Sequence, residues 1–357
     1  MNKYIEIYEE IKNDIIKGIY NPGAKLPSKR NTAETYNASI ITVEHAYDLL
    51  IEESYIEPRE RSGYFVVYNK DLSYDNTSEY SPAQSDAVKK KESKHEIVSY
   101  LPYSIYSKTV KKVLSLYGEN VMEKPSNNGL EQLRTAISGY LGRSRHMVVN
   151  PDQIYIGAGA EYLYRLIVST LGRDKTYGIE SPSYSQITNI YNAEKVDIKL
   201  LPLVKDGIDS KALWESKVDV LHITPYRSYP SRITASAQKK REYLSWSKEN
   251  STYIIEDDCE SEFSPSRKAE ETIFAIPESK RVIYVNTFTQ TISPSLRMGY
   301  MVIPKELIQD FNKEIGFYSC TVPSLEQLAV ATLIETGEFE RHLNRIRRKL
   351  RTIETNQ

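Results

Sequence analysis

The chain has 357 residues, enough for a sizeable core and more than one domain. Its formal net charge of −1 excludes a globally basic nucleic-acid coat, so any DNA contact must come from a local cluster of Lys and Arg. Cys259 and Cys320 have no CxxC spacing, which argues against a disulfide framework or structural zinc. No window approaches about 18 uninterrupted apolar residues, which excludes a membrane-spanning helix. The first residues lack the basic and apolar regions of a signal peptide, so the expected location is the cytoplasm.

Residues 3 to 17 place Ile5, Tyr8, Ile11, Ile15 and Ile16 at helical spacing, and Gly18, Pro22 and Gly23 end that helix. Ser28 can cap a short helix over residues 29–36. Ser39 can cap a longer one in which Val43, Ala46, Tyr47 and Leu50 recur at i, i+3, i+4 and i+7. That face belongs in a core, leaving Ser39, Ile40, Thr42, Glu44 and His45 outside. Tyr55 to Val67 reads as two short strands joined by a charged turn. Three helices followed by a hairpin describe a winged helix-turn-helix.

The candidate DNA-contacting residues fall on the parts of that motif that face a groove. Lys29 and Arg30 start one helix, and Arg59 and Arg61 lie in the wing beside Gly63. Ser39 and Thr42 can donate to phosphate or base, Ile40 and Ile41 can touch thymine methyls, and His45 shares their outer face. A merely solvated charged face is the alternative reading. The motifs Pro22-Gly23, Leu26-Pro27-Ser28-Lys29-Arg30, Ile41-Thr42-Val43 and Arg61-Ser62-Gly63-Tyr64-Phe65-Val66 resemble the DNA-binding domain of GntR-type bacterial regulators. That resemblance implies a domain over residues 1–68 that binds double-stranded operator DNA.

Residues 69–96 are poor in apolar side chains and end near the run Lys89-Lys90-Lys91-Glu92-Ser93-Lys94, as a linker would. From residue 97 helices alternate with short apolar strands. The strands fall at 153–156, 176–180, 198–202, 218–223, 253–256, 282–286 and 298–303, and the pattern predicts an α/β domain with a mainly parallel sheet. The whole is an α+β multidomain chain. A final basic helix over 336–353 carries Phe339, Leu343, Ile346 and Leu350 as its apolar stripe.

Ligands of such sheets lie beyond the carboxyl ends of the strands, where this chain has several marked clusters. Gly157-Ala158-Gly159-Ala160, Glu180-Ser181-Pro182-Ser183-Tyr184, Thr224-Pro225 with Tyr229-Pro230, Glu256-Asp257-Asp258-Cys259, and Asn286 to Tyr300 resemble fold-type I aminotransferases. With the winged helix in front, the order resembles the MocR subfamily of GntR regulators. By that resemblance Asp257 pairs with the pyridine nitrogen of pyridoxal phosphate, and Tyr184 stacks on the ring. Arg297 and Thr289 hold the phosphate, helped by backbone amides of Ala158, Gly159 and Ala160.

The departures from the pattern are as informative. Gln290 stands where the resemblance places the Schiff-base lysine, and an amide nitrogen cannot form that bond. Cys259 replaces a tyrosine, and Arg227, Ser228 and Arg232 replace a His-Gln-x-Pro-x-Gly pattern, with Arg232 at a position that favours glycine. The domain 97–357 is expected to lack its relatives' C-terminal subdomain. Glu256, Asp257 and Asp258 suit a metal by type, but neighbours on a strand point to opposite faces, so no metal is expected.

The reading is a DNA-binding transcriptional regulator whose second domain serves dimerisation. Its pocket either holds an amino compound or noncovalent pyridoxal phosphate as an effector, without transamination, or is vestigial and binds nothing, which would leave a regulator that no longer senses. The alternative is a pyridoxal-phosphate-dependent aminotransferase with an accessory DNA-binding domain.

Overall fold

The computed structural model describes residues 3–59, 62–68, 100–266 and 270–355. The expected linker, its lysine run and Arg61 lie outside the described residues. The chain forms two compact units, Met1–Lys91 and Glu92–Gln357.

In the first unit, helices α1 (Lys3–Ile16), α2 (Lys29–Thr35) and α3 (Ile40–Glu52) precede strands β1 (Ile56–Arg59) and β2 (Gly63–Val66). Ser28 and Ser39 cap α2 and α3 by accepting the amides of Asn31 at 3.2 Å and Thr42 at 3.1 Å. Val43, Ala46, Tyr47 and Leu50 are fully buried, as their spacing predicts. The Tyr47 hydroxyl donates to Pro27 O at 2.9 Å and shares a hydrogen with Thr32 Oγ1, tying α3 to the turn before α2. On α1 the stripe differs from expectation. Ile7 joins Tyr8, Ile11 and Ile15 in the core, while Ile5 and Ile16 are half-buried. Ile7, Ile11 and Ile15 follow strict i, i+4, i+8 spacing, which leaves Ile5 and Ile16 at the stripe's edges.

β1 and β2 pair antiparallel from Ile56↔Val66 to Arg59↔Gly63, and Lys25 makes a single antiparallel bridge to Phe65. Gly63 has φ 111°, and a Cβ there would stand 3.1 Å from Lys25 Cε, so the wing needs glycine at this point.

The second unit is an eight-stranded sheet. Its strands are β3 (Ile154–Gly157), β4 (Thr176–Ser181), β5 (Asp197–Val204), β6 (Gly207–Ile208), β7 (Val220–Ile223), β8 (Tyr253–Asp257), β9 (Val282–Thr287) and β10 (Gly299–Val302). Their order is β3-β10-β9-β8-β7-β4-β5-β6. The run β9-β8-β7-β4-β5 is parallel. β10 is antiparallel to both its neighbours, β3 and β9, and β6 is antiparallel to β5.

Helices cover both faces. One layer holds α6 (Ala160–Leu171), α7 (Ser185–Ala193) and α10 (Ile308–Ile315). The other holds α4 (Tyr103–Tyr117), α5 (Glu131–Arg145), α9 (Ala237–Asn250), α11 (Ser324–Glu335) and α12 (Glu338–Thr355). A short α8 (Ser210–Trp214) follows β6. The central strands are therefore apolar on both sides: on β9, Ile283 and Val285 face the first layer and Tyr284 the second. On α12, Phe339, Leu343 and Ile346 are buried and Leu350 packs against the same core.

Candidate functional site

The outer face of α3 opens with Ser39, Ile40 and Ile41, all exposed, the isoleucines at 47% and 65%. His45 is exposed with its ring edge-on to Tyr4, and Thr42 is half-buried with Oγ1 2.8 Å from Ser39 Oγ. Arg30 is exposed and has no ion-pair partner among the described residues. Lys29 is otherwise placed than a free phosphate ligand would be. Its Nζ lies 2.6 Å from Glu44 Oε1 and 5.4 Å from the centre of the Tyr64 ring. Burial works against its charge, but hydrogen bonds to Glu44 and Tyr64 outweigh it and raise the amine above its ordinary range. In the wing, Arg59 Nε donates to Glu57 at 2.7 Å and its guanidinium covers Phe65.

In the second unit the carboxyl ends of β3, β4, β7, β8 and β9 share one edge of the sheet, since β3 is reversed twice relative to β9. From that edge emerge the loops holding Gly157–Ala160, Glu180–Tyr184, Thr224–Arg232, Asp257–Glu262 and Phe288–Met298. Asp257 ends β8, buried at 5% exposure. The Tyr164 hydroxyl donates to its Oδ2 and the Cys259 thiol to its Oδ1. His222 on β7 has Nε2 3.8 Å from Oδ2, and its Nδ1 is 2.8 Å from the Tyr191 hydroxyl. Burial, with Asp257 alongside, pushes the Cys259 thiol well above the usual range.

Around Asp257 the candidate residues are unevenly placed. Arg297 is exposed, in the left-handed region with φ 45°, and its Nη2 is 2.8 Å from Glu161 Oε2. It stands beside Gly159, the residue that opens α6 at φ 86°. The Ala158 amide donates to Thr321 Oγ1 at 3.1 Å, and Ala160 begins the helix. Thr289 is half-buried and Gln290 exposed. Tyr184 is half-exposed, its ring edge-on to Tyr229 at 6.0 Å. Arg232 has φ 62° and Arg227 φ 51°, so two arginines occupy backbone that favours glycine. Ser228 is buried and donates to Glu180 Oε2 at 2.6 Å. Burial raises the Glu180 carboxyl to about 7 despite that bond and the Thr224 amide.

The acidic run splits across the strand as its alternation requires. Glu256 accepts the amides of Ile273 and Phe274 at 2.7 and 2.8 Å, and Asp258 accepts the Tyr284 hydroxyl at 2.8 Å. On that side Arg145, 3% exposed, lies 3.6 Å from Asp258 and 3.5 Å from Glu262. No group of three His, Cys, Asp or Glu among the described residues could hold a metal.

Tyr164, His222 and Arg145 escape the sequence reading. For Arg145 a signal existed: four carboxylates within Asp257–Glu262 beside a buried strand call for a buried cation. Tyr164 and His222 sit among apolar neighbours and carry no comparable mark.

A winged helix joined to an α/β unit of this strand order and edge chemistry defines a DNA-binding regulator with an aminotransferase-type domain. Residues 3–66 match the family described as bacterial regulatory proteins, gntR family. The chain is 31% identical over 354 residues to the HTH-type transcriptional regulator YdeL of Bacillus subtilis (strain 168), covering 98% of this chain and 76% of that one. It is 27% identical over 360 residues to the HTH-type pyridoxine biosynthesis transcriptional regulator PdxR of Corynebacterium glutamicum, covering 97% and 76%. With the probable rhizopine catabolism regulatory protein MocR of Rhizobium meliloti the figures are 24% over 363 residues, 96% and 74%.

Among solved structures, Pyrococcus horikoshii kynurenine aminotransferase aligns with TM-score 0.64 at 23% identity, over 70% of this chain and 64% of that one. An archaeal alanine:glyoxylate aminotransferase gives 0.63 at 21%, over 68% and 62%. The chain thus spans about three quarters of the regulators and less than two thirds of these aminotransferases. It belongs to the MocR subfamily of GntR-type transcriptional regulators and is a DNA-binding regulator with an aminotransferase-like fold.

Proposed function

We propose that the aminotransferase-like domain of this regulator senses and assembles without transaminating. It holds pyridoxal phosphate or an amino compound noncovalently, and it pairs with a second copy so that two winged helices meet paired half-sites on operator DNA. The division of labour is 1–68 for DNA, 69–96 as linker and 97–357 for sensing, with the work done in the cytoplasm. Lys29, Arg30, Ser39, Ile40, Ile41, Thr42, His45, Arg59, Arg61 and Gly63 serve the DNA.

The observation that carries this reading is the side chain at 290. Gln290 supplies an amide where covalent attachment and proton shuttling need an amine. The other groups suit a noncovalent guest in part. The α6 N-terminus with Arg297 offers donors to a phosphate, and Asp257 offers a carboxylate to a ring nitrogen. Tyr164 and Cys259 already donate to both Asp257 oxygens, so a ring nitrogen must share or displace one of them. When bound, the cofactor would supply an aldehyde and an electron-withdrawing ring. Here Asp257 orients the ring, Arg297 and the α6 amides fix the phosphate, and no residue at 290 takes up a proton.

The test combines borohydride treatment with DNA footprinting. With added pyridoxal phosphate, no cofactor should remain attached after reduction and denaturing dialysis, while the footprint on a duplex selected by the protein should change. Covalently retained cofactor would replace this reading with the enzyme.

A further inference from the structure

Residues 1–68 hold eleven Asp and Glu against eight Lys and Arg. Within the winged helix several cations are also spent on their own chain: Lys3 on Glu6 at 3.1 Å, Lys12 on Glu53 at 2.8 Å, Lys29 on Glu44 at 2.6 Å and Arg59 on Glu57 at 2.7 Å. Most sequence-independent DNA affinity comes from phosphates neutralised by Lys and Arg, with release of their counterions. A net acidic reading domain with four of its eight cations paired provides less of that attraction.

Helix α12 offers what the winged helix lacks. With Phe339, Leu343 and Ile346 buried, its outward face presents Arg341, Asn344, Arg345, Arg348 and Lys349. Arg341 is held by Glu338 at 2.9 Å. Arg345, Arg348 and Lys349 have no ion-pair partner among the described residues; the two arginines reach only carbonyls of their own helix, each at 3.4 Å. Their i, i+3, i+4 spacing stacks them over one turn.

These three side chains line a groove of 480 Å³ with Pro102, His342 and Ile346. His342 is 2% exposed and its Nε2 has no hydrogen-bond partner. Burial and the neighbouring Arg345 and Lys349 lower its pKa, opposed by a hydrogen bond to the Thr291 backbone. The groove thus combines unneutralised cations with a buried nitrogen lacking a partner.

We propose that this groove on α12 is a second DNA contact, in which Arg345, Arg348 and Lys349 bind phosphodiester oxygens of duplex DNA without reading its sequence. The occupant is a duplex because the chain is a DNA-binding regulator and the groove supplies the charge its reading domain lacks. The contact positions and strengthens, while α3 specifies.

The test uses the full chain and a short random-sequence duplex, with affinity measured by fluorescence anisotropy across a salt series. Arg345→Gln, Arg348→Gln and Lys349→Gln combined should make the slope of log K against log salt shallower by about 2.7, from about 0.9 per phosphate neutralised. Arg345→Lys with Arg348→Lys should keep the parent slope, since charge rather than shape is used. An unchanged slope in the triple glutamine variant overturns the proposal. So does displacement of the duplex by inorganic phosphate, but not by chloride of equal ionic strength, because that assigns the groove to a small anion. Melting curves of all variants should coincide, as the three side chains are exposed.

Discussion

Lys29 and Glu44 join the two helices of the DNA-reading motif, with Nζ of the first 2.6 Å from Oε1 of the second. The pair sets a carboxylate on the recognition helix and removes a cation from the phosphates. Glu44→Gln should therefore free Lys29, raise affinity for random duplex DNA and steepen the salt slope by about 1. Anisotropy titrations at several salt concentrations check this, and lower affinity in the variant would contradict it.

Ile40 and Ile41 are large apolar side chains left exposed at the start of α3. Replacing both with Ala should leave the melting temperature unchanged while weakening binding to a selected operator by about tenfold or more, within the roughly 1–3 kcal/mol that one mismatched base pair costs. Binding to random duplex should hardly change, which separates base contact from general attraction.

Glu180 is buried, and its folded-state pKa of about 7 lies above the ordinary carboxylate value. The folded state then binds a proton that the unfolded chain has released, so Glu180 favours folding below the unfolded pKa, and this contribution is lost as pH rises through about 7. Glu180→Gln should gain stability relative to the parent between pH 6 and 8. Thermal melts of both proteins across that window give the difference, which should grow with pH.

Arg145 is the cation of a buried cluster with Asp258 and Glu262. Arg145→Met leaves two carboxylates uncompensated and should destabilise the second unit by about 3–5 kcal/mol. Adding Asp258→Asn and Glu262→Gln should recover part of the loss. Urea unfolding measures both effects.

Arg232 adopts φ 62° with about half of its side chain in solvent. Arg232→Gly should stabilise the fold by about 1 kcal/mol by removing the Cβ from left-handed backbone. The ion pair lost with Glu260, 3.5 Å long and partly exposed, is too weak to reverse the sign.

The winged helix was readable because its signals are local. The caps at Ser28 and Ser39 and the Val43, Ala46, Tyr47, Leu50 stripe need only a helix to declare themselves, and Gly63 needs only a turn. What escaped depends on partners distant in sequence. The place of Lys29 at a helix start is legible, but nothing near it in sequence announces its pairing with Glu44. Met298–Ile303 read as one more strand, but its antiparallel direction follows from pairing with both β3 and β9, which a sequence pattern does not carry. The acidic run after β8 calls for a buried cation, but only the fold shows that Arg145, more than a hundred residues earlier, supplies it. Around Asp257 the sequence supplies the carboxylate, but the tertiary packing supplies the Tyr164 and His222 beside it.

The loop carrying Thr289, Gln290 and Arg297 hangs between two interior strands, β9 and β10, every residue of which is buried. Its base is closed by the Phe288 amide on Met298 O at 2.8 Å. Mount and tool are thus separable. The sheet fixes where the tip of this loop stands whatever side chain position 290 bears, so chemistry there can be swapped at little expense to foldability. A lineage could exchange an amine for an amide in one codon and keep the same scaffold.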